Sequence, residues 1–194
     1  MIVLSDHGEE FLDHGRVTHG TTLYGEQIRV PLIIRPPGGT RDARRLAQVV
    51  QLIDVGPTIL ALTGEPDSRP SQGRSFAQLL GAKAVAPWPD LAFSELFDII
   101  EAQRPQRLHA AAVTSSRWSY LTRPDGGVEL YDRQLDRAQT TSLAGAEEAA
   151  AAAAARSLAR HVAVCEELSK TVHKVSDPLS PEQRERLRAL GYIR

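Results

Sequence analysis

The sequence predicts an α/β fold: a partial sheet with helices, followed by a small antiparallel sheet and carboxyl-terminal helices. Three observations carry that expectation. Two short apolar runs, Ile2-Val3-Leu4 and Val30-Pro31-Leu32-Ile33-Ile34, flank a polar loop rich in Gly and His, as strands do in open α/β sheets. From Leu91 the pattern changes to closely spaced strand candidates joined by Pro124-Asp125-Gly126-Gly127, a strong hairpin turn. Finally, the alanine run Ala149 to Ala155 lies inside a long helical stretch, where alanine has the best intrinsic propensity.

In chain order, residues 2–5 read as a fully buried strand and 9–22 as a loop at its carboxyl end. Leu23 to Arg29 suits a short helix, and the strand Val30 to Ile34 is stopped by Pro36-Pro37-Gly38-Gly39. Val49 to Ile53 is a third apolar run. Asp54 stands at an N-cap position, with Pro57 in the first turn and Gly64 past the end, which marks a helix over residues 55–63. Ser75 to Leu80 reads as a short amphipathic helix closed by Gly81, and Ala86-Pro87-Trp88-Pro89 as a seam. Ala92 to Glu95, Ala110 to Thr114, Trp118 to Thr122 and Val128 to Tyr131 read as strands. Glu147 to Lys170 is the long helix. Ser180 and Pro181 open a last one, whose end, Leu190 to Ile193, is expected to dock on the body. The expected division is 1–90 for the α/β part, 91–145 for the antiparallel part and 146–194 for a helical tail.

With 194 residues the chain can bury a sizeable core, and 42% hydrophobic and 24% charged residues are ordinary for a globular protein. A net charge of -1 gives no electrostatic footprint for nucleic acid or an anionic membrane. The local cluster Arg41, Arg44 and Arg45 reads as a solvated loop. One cysteine, Cys165, allows no internal disulfide framework. No stretch has the length of a transmembrane helix, and no signal-peptide pattern precedes residue 2.

The chemistry concentrates in the first loop. Asp6 and His7 follow the first strand directly, and a carboxylate oxygen with an imidazole nitrogen suits a divalent transition metal better than calcium. Gly8 allows a sharp turn and close approach of a bound group. A lone Asp-His-Gly is more often a strand-end cap. Two further imidazoles, His14 and His19, in the same short loop raise the case for a site.

The segment SDHGEEFLDHGRVTHGTTLYGEQIRVPLIIRPPG resembles the sulfatase family, within the alkaline phosphatase superfamily of metal-dependent hydrolases. QLIDVGPTILALTG, GRSFAQLL, ELYDRQLDRAQTTSLA and the ending LRALGYI extend that resemblance over nearly the whole chain. It implies a partial alkaline-phosphatase-like sheet and one divalent metal ion held by Asp6 and His7. Histidine after the aspartate goes with manganese or zinc in phosphonate and phosphodiester hydrolases, whereas asparagine goes with calcium in many arylsulfatases; calcium stays open. His19 falls where relatives place a lysine or histidine on the bound sulfate or phosphate, as catalytic and substrate-binding residue. His14 matches an EHG element, with Asp13 for glutamate, in a supporting substrate-binding role. Thr21 occupies the second histidine position of HGHTLY and is assigned to substrate binding as well. Arg29 is expected in a structural salt bridge, Asp54 as a helix cap, and Tyr24 and Glu26 as packing and supporting residues.

The family's nucleophile, in a Cys/Ser-x-Pro-x-Arg motif or as a threonine, has no counterpart in this chain. Cys165 is followed by Glu166-Glu167 and reads as a small buried helix residue; Ser71 lacks the required neighbours. The expectation is therefore a carboxyl-terminal piece of a sulfate-ester hydrolase, inactive alone and partnered by the amino-terminal half of the same fold. The alternatives are a phosphodiester or phosphonate hydrolase or phosphoethanolamine-type transferase of the same superfamily, or a non-catalytic remnant. By resemblance alone, the location is periplasmic, secreted or membrane-anchored.

Overall fold

The computed structural model describes residues 1–39, 43–66, 72–81, 87–97, 108–171 and 179–189. Met1–His161 forms one compact unit and Val162–Arg194 another. The first unit holds every site residue expected from the sequence.

Strand β1 (Ile2–Leu4) pairs antiparallel with β4 (Leu32–Ile34), with Val3 opposite Ile33. Side chains alternate across a strand. Ile2, Leu32 and Ile34 pack against a cluster of Val55, Phe76 and Leu79, while Val3 and Ile33 on the other face are 47% and 60% exposed. The expected burial of this strand on both faces is therefore corrected. A two-stranded ladder has one covered face unless a second layer meets the other, and among the described residues none does.

Between these strands lie the small hairpin β2 (Glu10–Phe11) and β3 (Val17–Thr18) and the single-turn helix α1 (Gly25–Ile28). Helix α2 (Val55–Thr63) matches the sequence reading, and Gly64 ends it at φ 78°, a left-handed conformation that costs glycine little. Asp54 differs from its expected role. Its carboxylate makes no cap bond to α2; it accepts the Gln51 N–H at 2.9 Å and the Arg74 N–H at 2.8 Å. It thereby closes a 3-10 turn (Leu52–Asp54) and ties it to the segment before Phe76. The run from Val49 thus ends in a turn. The helix expected over 75–80 is a 3-10 turn confined to Ala77–Leu80. Arg44 is anchored: its guanidinium donates to the Leu79 carbonyl at 2.6 Å and to that of Gly81, carbonyls left open at the end of that turn.

Strands β5 (Ala92–Phe97), β6 (Leu108–Thr114), β7 (Trp118–Thr122) and β8 (Val128–Asp132) form an antiparallel meander in sequence order. The turn into β8 follows its residues. Gly126 takes φ 83°, and Asp125 accepts the Gly127 N–H at 2.9 Å. One sheet face packs Ala110, Ala112, Leu121 and Tyr131 against Leu23 from the first loop. This is the apolar contact between the loop and the meander. Burying a leucine contributes about 1.5–3 kcal/mol, so Leu23 is a substantial anchor.

Helix α3 (Glu148–Thr171) carries the alanine run, with Leu158 buried. Cys165, expected to be buried, is half-buried in this helix. Helix α4 (Pro181–Ala189) opens on the expected capping box: Ser180 Oγ accepts the Gln183 N–H and Gln183 Oε1 accepts that of Ser180. Leu190 to Ile193, Ser71, Arg41 and Ala86 lie outside the described residues. No helix among the described residues is long and apolar enough to cross a membrane.

Candidate functional site

Strand β1 ends at Leu4, and the next residues turn at once. Ser5 Oγ donates to the His7 carbonyl at 2.7 Å, and Asp6 Oδ1 accepts the His7 N–H at 3.1 Å. Gly8 then meets α1: its N–H donates to the Gln27 carbonyl at 2.7 Å, and a Cβ there would lie 1.9 Å from the Glu26 carbonyl oxygen. Glycine is required at this position, and what approaches it is the chain's own helix, not a bound group as the sequence suggested.

His7 Nδ1 lies 2.8 Å from the Gly8 carbonyl, an acceptor, so in the neutral ring this nitrogen carries the proton and Nε2 is the atom left for a ligand role. Nε2 is 3.8 Å from Asp6 Oδ1, with the two side chains 43% and 73% exposed. A ligand imidazole held by a backbone carbonyl through its other nitrogen is the usual arrangement at a metal. The donors Asp6 and His7 therefore fit a divalent cation, and their nitrogen-oxygen character suits a transition metal.

The His19 ring stacks on that of His7, centroids 3.8 Å apart, and its Nδ1 sits 3.0 Å from Glu9 Oε2. The ligand atoms of His7, Glu9 and His19 all lie within 4.8 Å of one another. Glu9 carried no role in the sequence reading. The signal available was its place between His7 and a loop that returns through His19, and only the hairpin register makes that return visible.

His14 lies elsewhere. Its Nδ1 is 2.6 Å from Glu26 Oε1, its Nε2 3.1 Å from the Gln139 carbonyl, and its ring lies flat on Tyr24 at 3.7 Å. Both partners are acceptors, so both nitrogens donate and the ring is an imidazolium. Burial opposes that charge, but the Gln139 carbonyl and the Glu26 carboxylate outweigh it and raise the His14 pKa. Glu26 and Tyr24, expected as packing and supporting residues, are the side chains in contact with this ring.

Beneath the hairpin, Glu10 is fully buried. Oε1 accepts the His14 and Arg16 N–H groups at 3.1 and 2.9 Å, and Oε2 accepts Gln27 Nε2 at 2.8 Å. Burial raises a carboxylate's pKa, yet these bonds, the Arg16 N–H foremost, bring that of Glu10 below its ordinary value. Gln27 also donates to Thr22 Oγ1 and Thr21 Oγ1, at 2.7 and 3.2 Å. Sequence reasoning missed Glu10, Gln27 and Gln139, because nothing local distinguishes a buried carboxylate or amide from a solvated one.

Arg29, expected in a salt bridge, forms no ion pair among the described residues; its N–H donates to the Gly25 carbonyl at the end of α1. The buried carboxylate of Glu129 is the ionic centre instead. It accepts the Tyr24 and Tyr131 hydroxyls, each at 2.9 Å, and pairs with Arg123 at 3.0 Å. Burial, followed by the neighbouring Glu129 charge, pushes the pKa of both tyrosines up, so they remain donors.

His14 and Thr21 line one cleft of about 310 Å³, with Arg16 on their side and Thr122 and Arg123 on the meander side. The Arg16 guanidinium has no ion-pair partner among the described residues. The structure thus divides the five expected site residues: Asp6, His7 and His19 share the exposed loop face, and His14 and Thr21 face the cleft.

Comparison with known proteins gives a consistent result. The family model for N-sulphoglucosamine sulphohydrolase, C-terminal, matches residues 13–167. Arylsulfatase K of Gallus gallus is 30% identical over 156 residues, covering 72% of this chain and 26% of that protein. A phosphonate monoester hydrolase of Silicibacter pomeroyi aligns at 28% identity and TM-score 0.65, over 94% of this chain and 37% of that one. A 2-O GAG sulfatase shares the fold at 23% identity and TM-score 0.66, over 88% of this chain and 36% of that one. The chain therefore spans about a quarter of that curated relative, and the family model it matches describes a carboxyl-terminal domain.

Proposed function

Because this chain belongs to the sulfatase family of the alkaline phosphatase superfamily, we propose that it serves as the carboxyl-terminal part of a metal-dependent hydrolase of sulfate esters. The observation that carries the reading is the state of His7. Its Nδ1 is committed to the Gly8 carbonyl at 2.8 Å, which leaves Nε2, 3.8 Å from Asp6 Oδ1, as the atom that can take a ligand role. Asp6 and His7 would hold a divalent ion, manganese or zinc by donor type. Such an ion, when bound, polarises the ester's non-bridging oxygens and favours ionisation of the nucleophile.

This chain's residues supply the rest of their share. His19, in reach of the same face, stabilises or protonates the leaving oxygen. Thr21 and His14 border the cleft, where hydroxyls and the imidazolium suit an anionic, hydroxyl-rich substrate. Arg16, without an ion-pair partner among the described residues, adds a positive charge to the same wall. The nucleophile and the remaining metal ligands come from the amino-terminal half of the fold, and the bare face of β1 and β4, with Val3 and Ile33 exposed, is where that half packs.

A second reading moves the chemistry to phosphoryl transfer, on a phosphonate or phosphodiester. His7 in place of asparagine and the 28% identity to a phosphonate monoester hydrolase support it.

The test is turnover. The purified chain alone is expected to hydrolyse neither an aryl sulfate nor an aryl phosphonate. Supplied with the upstream half, it is expected to turn over the sulfate faster, to lose activity to a chelator, and to recover with manganese or zinc. His19→Ala is expected to lower the rate by about 10²–10⁴-fold. A faster phosphonate rate favours the second reading. Turnover by the chain alone, or chelator-insensitive turnover, overturns the proposal.

A further inference from the structure

The loop that carries Asp6 and His7 holds a second set of metal-binding atoms. His7, Glu9 and His19 are not neighbours by chance of a mobile surface, because the backbone is pinned on both sides of Glu9. Gly8 is locked to α1 through the Gln27 carbonyl at 2.7 Å, and Glu10 is fully buried and bonded to three donors. Glu9 is thereby held between two anchors, with its side chain directed to the open face.

His19 is brought over His7 by an unusual backbone. Thr18 has φ 85° and Gly20 has φ 72°, so the chain reverses on either side of the histidine. Left-handed conformation is costly for a β-branched residue and persists where surrounding structure enforces it. The result is two stacked imidazoles, centroids 3.8 Å apart, with a carboxylate oxygen 3.0 Å from the His19 ring. All three side chains are solvent-accessible, at 43%, 36% and 48% for His7, Glu9 and His19.

We propose that His7, Glu9 and His19 form a transition-metal site of their own, taking zinc through two imidazole nitrogens and one carboxylate oxygen. Donors on one zinc ion lie about 3 to 3.5 Å apart. The three ligand atoms lie within 4.8 Å of one another, about 1–2 Å from that spacing. Two histidines and a glutamate leave a fourth position for water, the donor set of an open zinc centre. Asp6 is not part of this set. It shares only His7 with it, so a metal held here competes with the Asp6–His7 arrangement and removes His19 from contact with an ester. Excess zinc is therefore inhibitory in any assembly that uses His19 on substrate. That consequence rests on the reading above; the site itself does not.

The experiment uses the purified full chain, stripped with a chelator, with cobalt(II) as the spectroscopic probe and zinc as competitor. Cobalt is expected to give visible absorption bands of a four-coordinate site at one equivalent, displaced by zinc. Glu9→Gln and His19→Asn are each expected to weaken cobalt binding by about tenfold or more, since each removes one of three ligands. Asp6→Asn is expected to leave it within about twofold. Circular dichroism confirms the fold of each variant, and the two independent ligand variants guard against failure of either one to fold. Folded wild-type chain without cobalt bands overturns the proposal. So does binding that depends on Asp6 and ignores Glu9, an outcome that instead supports the Asp6–His7 arrangement. Loss of activity in the assembled enzyme with the cobalt result intact refutes only the functional reading.

Discussion

Replacing Glu10 by glutamine tests whether a buried carboxylate organises the site loop. In the native chain one oxygen accepts two backbone N–H groups, of His14 and Arg16, and the other accepts Gln27 Nε2. Glutamine offers one oxygen and one NH₂. With its oxygen toward the backbone pair, its NH₂ meets the NH₂ of Gln27. Were Gln27 to turn over, its own NH₂ would face the Thr21 and Thr22 N–H groups, which its oxygen now accepts at 3.3 and 3.4 Å. The opposite choice strands His14 and Arg16. Every arrangement leaves a buried donor without an acceptor. Losing a bond to a charged acceptor costs about 1.5–3 kcal/mol and an unsatisfied buried donor about 1–3; the two overlap because both describe the same lost contact, so a loss of about 2–4 kcal/mol is expected. Amide hydrogen exchange reads this locally. The His14 and Arg16 amides are expected to exchange about thirtyfold to several hundredfold faster, while Leu130 in β8 stays unchanged. Protection at His14 and Arg16 within about threefold of wild type would refute the reasoning.

Three further predictions concern the same unit. His14 has a pKa raised above its ordinary 6.5, so the contact with Glu26 and the Gln139 carbonyl is fully present below pH 6.5 and is lost as pH rises through the raised value; an NMR titration placing the ring's pKa at or below 6.5 contradicts this. Gly8→Ala drives a Cβ to 1.9 Å from the Glu26 carbonyl oxygen and is expected to cost about 1–3 kcal/mol or more in urea unfolding, with a wild-type midpoint as the refuting result. Gly56→Ala is its counterpart: a Cβ there meets nothing within 4 Å inside α2, so a gain of about 0.5–1 kcal/mol is expected from the same measurement, and a loss would contradict the helix position.

These predictions differ in how far the sequence foresees them. Gly56 belongs to a helix whose cap glycine, proline and apolar spacing are all local signals, and the structure keeps that helix at residues 55–63. The hairpin turn at Asp125-Gly126 and the Ser180–Gln183 capping box are legible for the same reason, since each bond spans only a few residues. Glu10 and His14 are different. In sequence they are one acid and one histidine among several in a polar loop, no less exposed in appearance than Asp6 or His19. Their positions come from partners at a distance: Gln27 for Glu10, and Gln139, 125 residues along the chain, for His14.

What the sequence determined by itself is the α/β character, the antiparallel meander, the helices α2, α3 and α4, and the concentration of imidazoles and carboxylates after the first strand. Periodicity, turn residues and caps act over a few residues, and their free energies are set by neighbours along the chain. Tertiary structure alone decided which side of β1 is covered and which of the loop's polar groups are spent on the fold. It also set Glu9 beside two stacked histidines. A polar group is buried only where enough donors converge on it, and that convergence depends on segments far apart in the chain meeting in space.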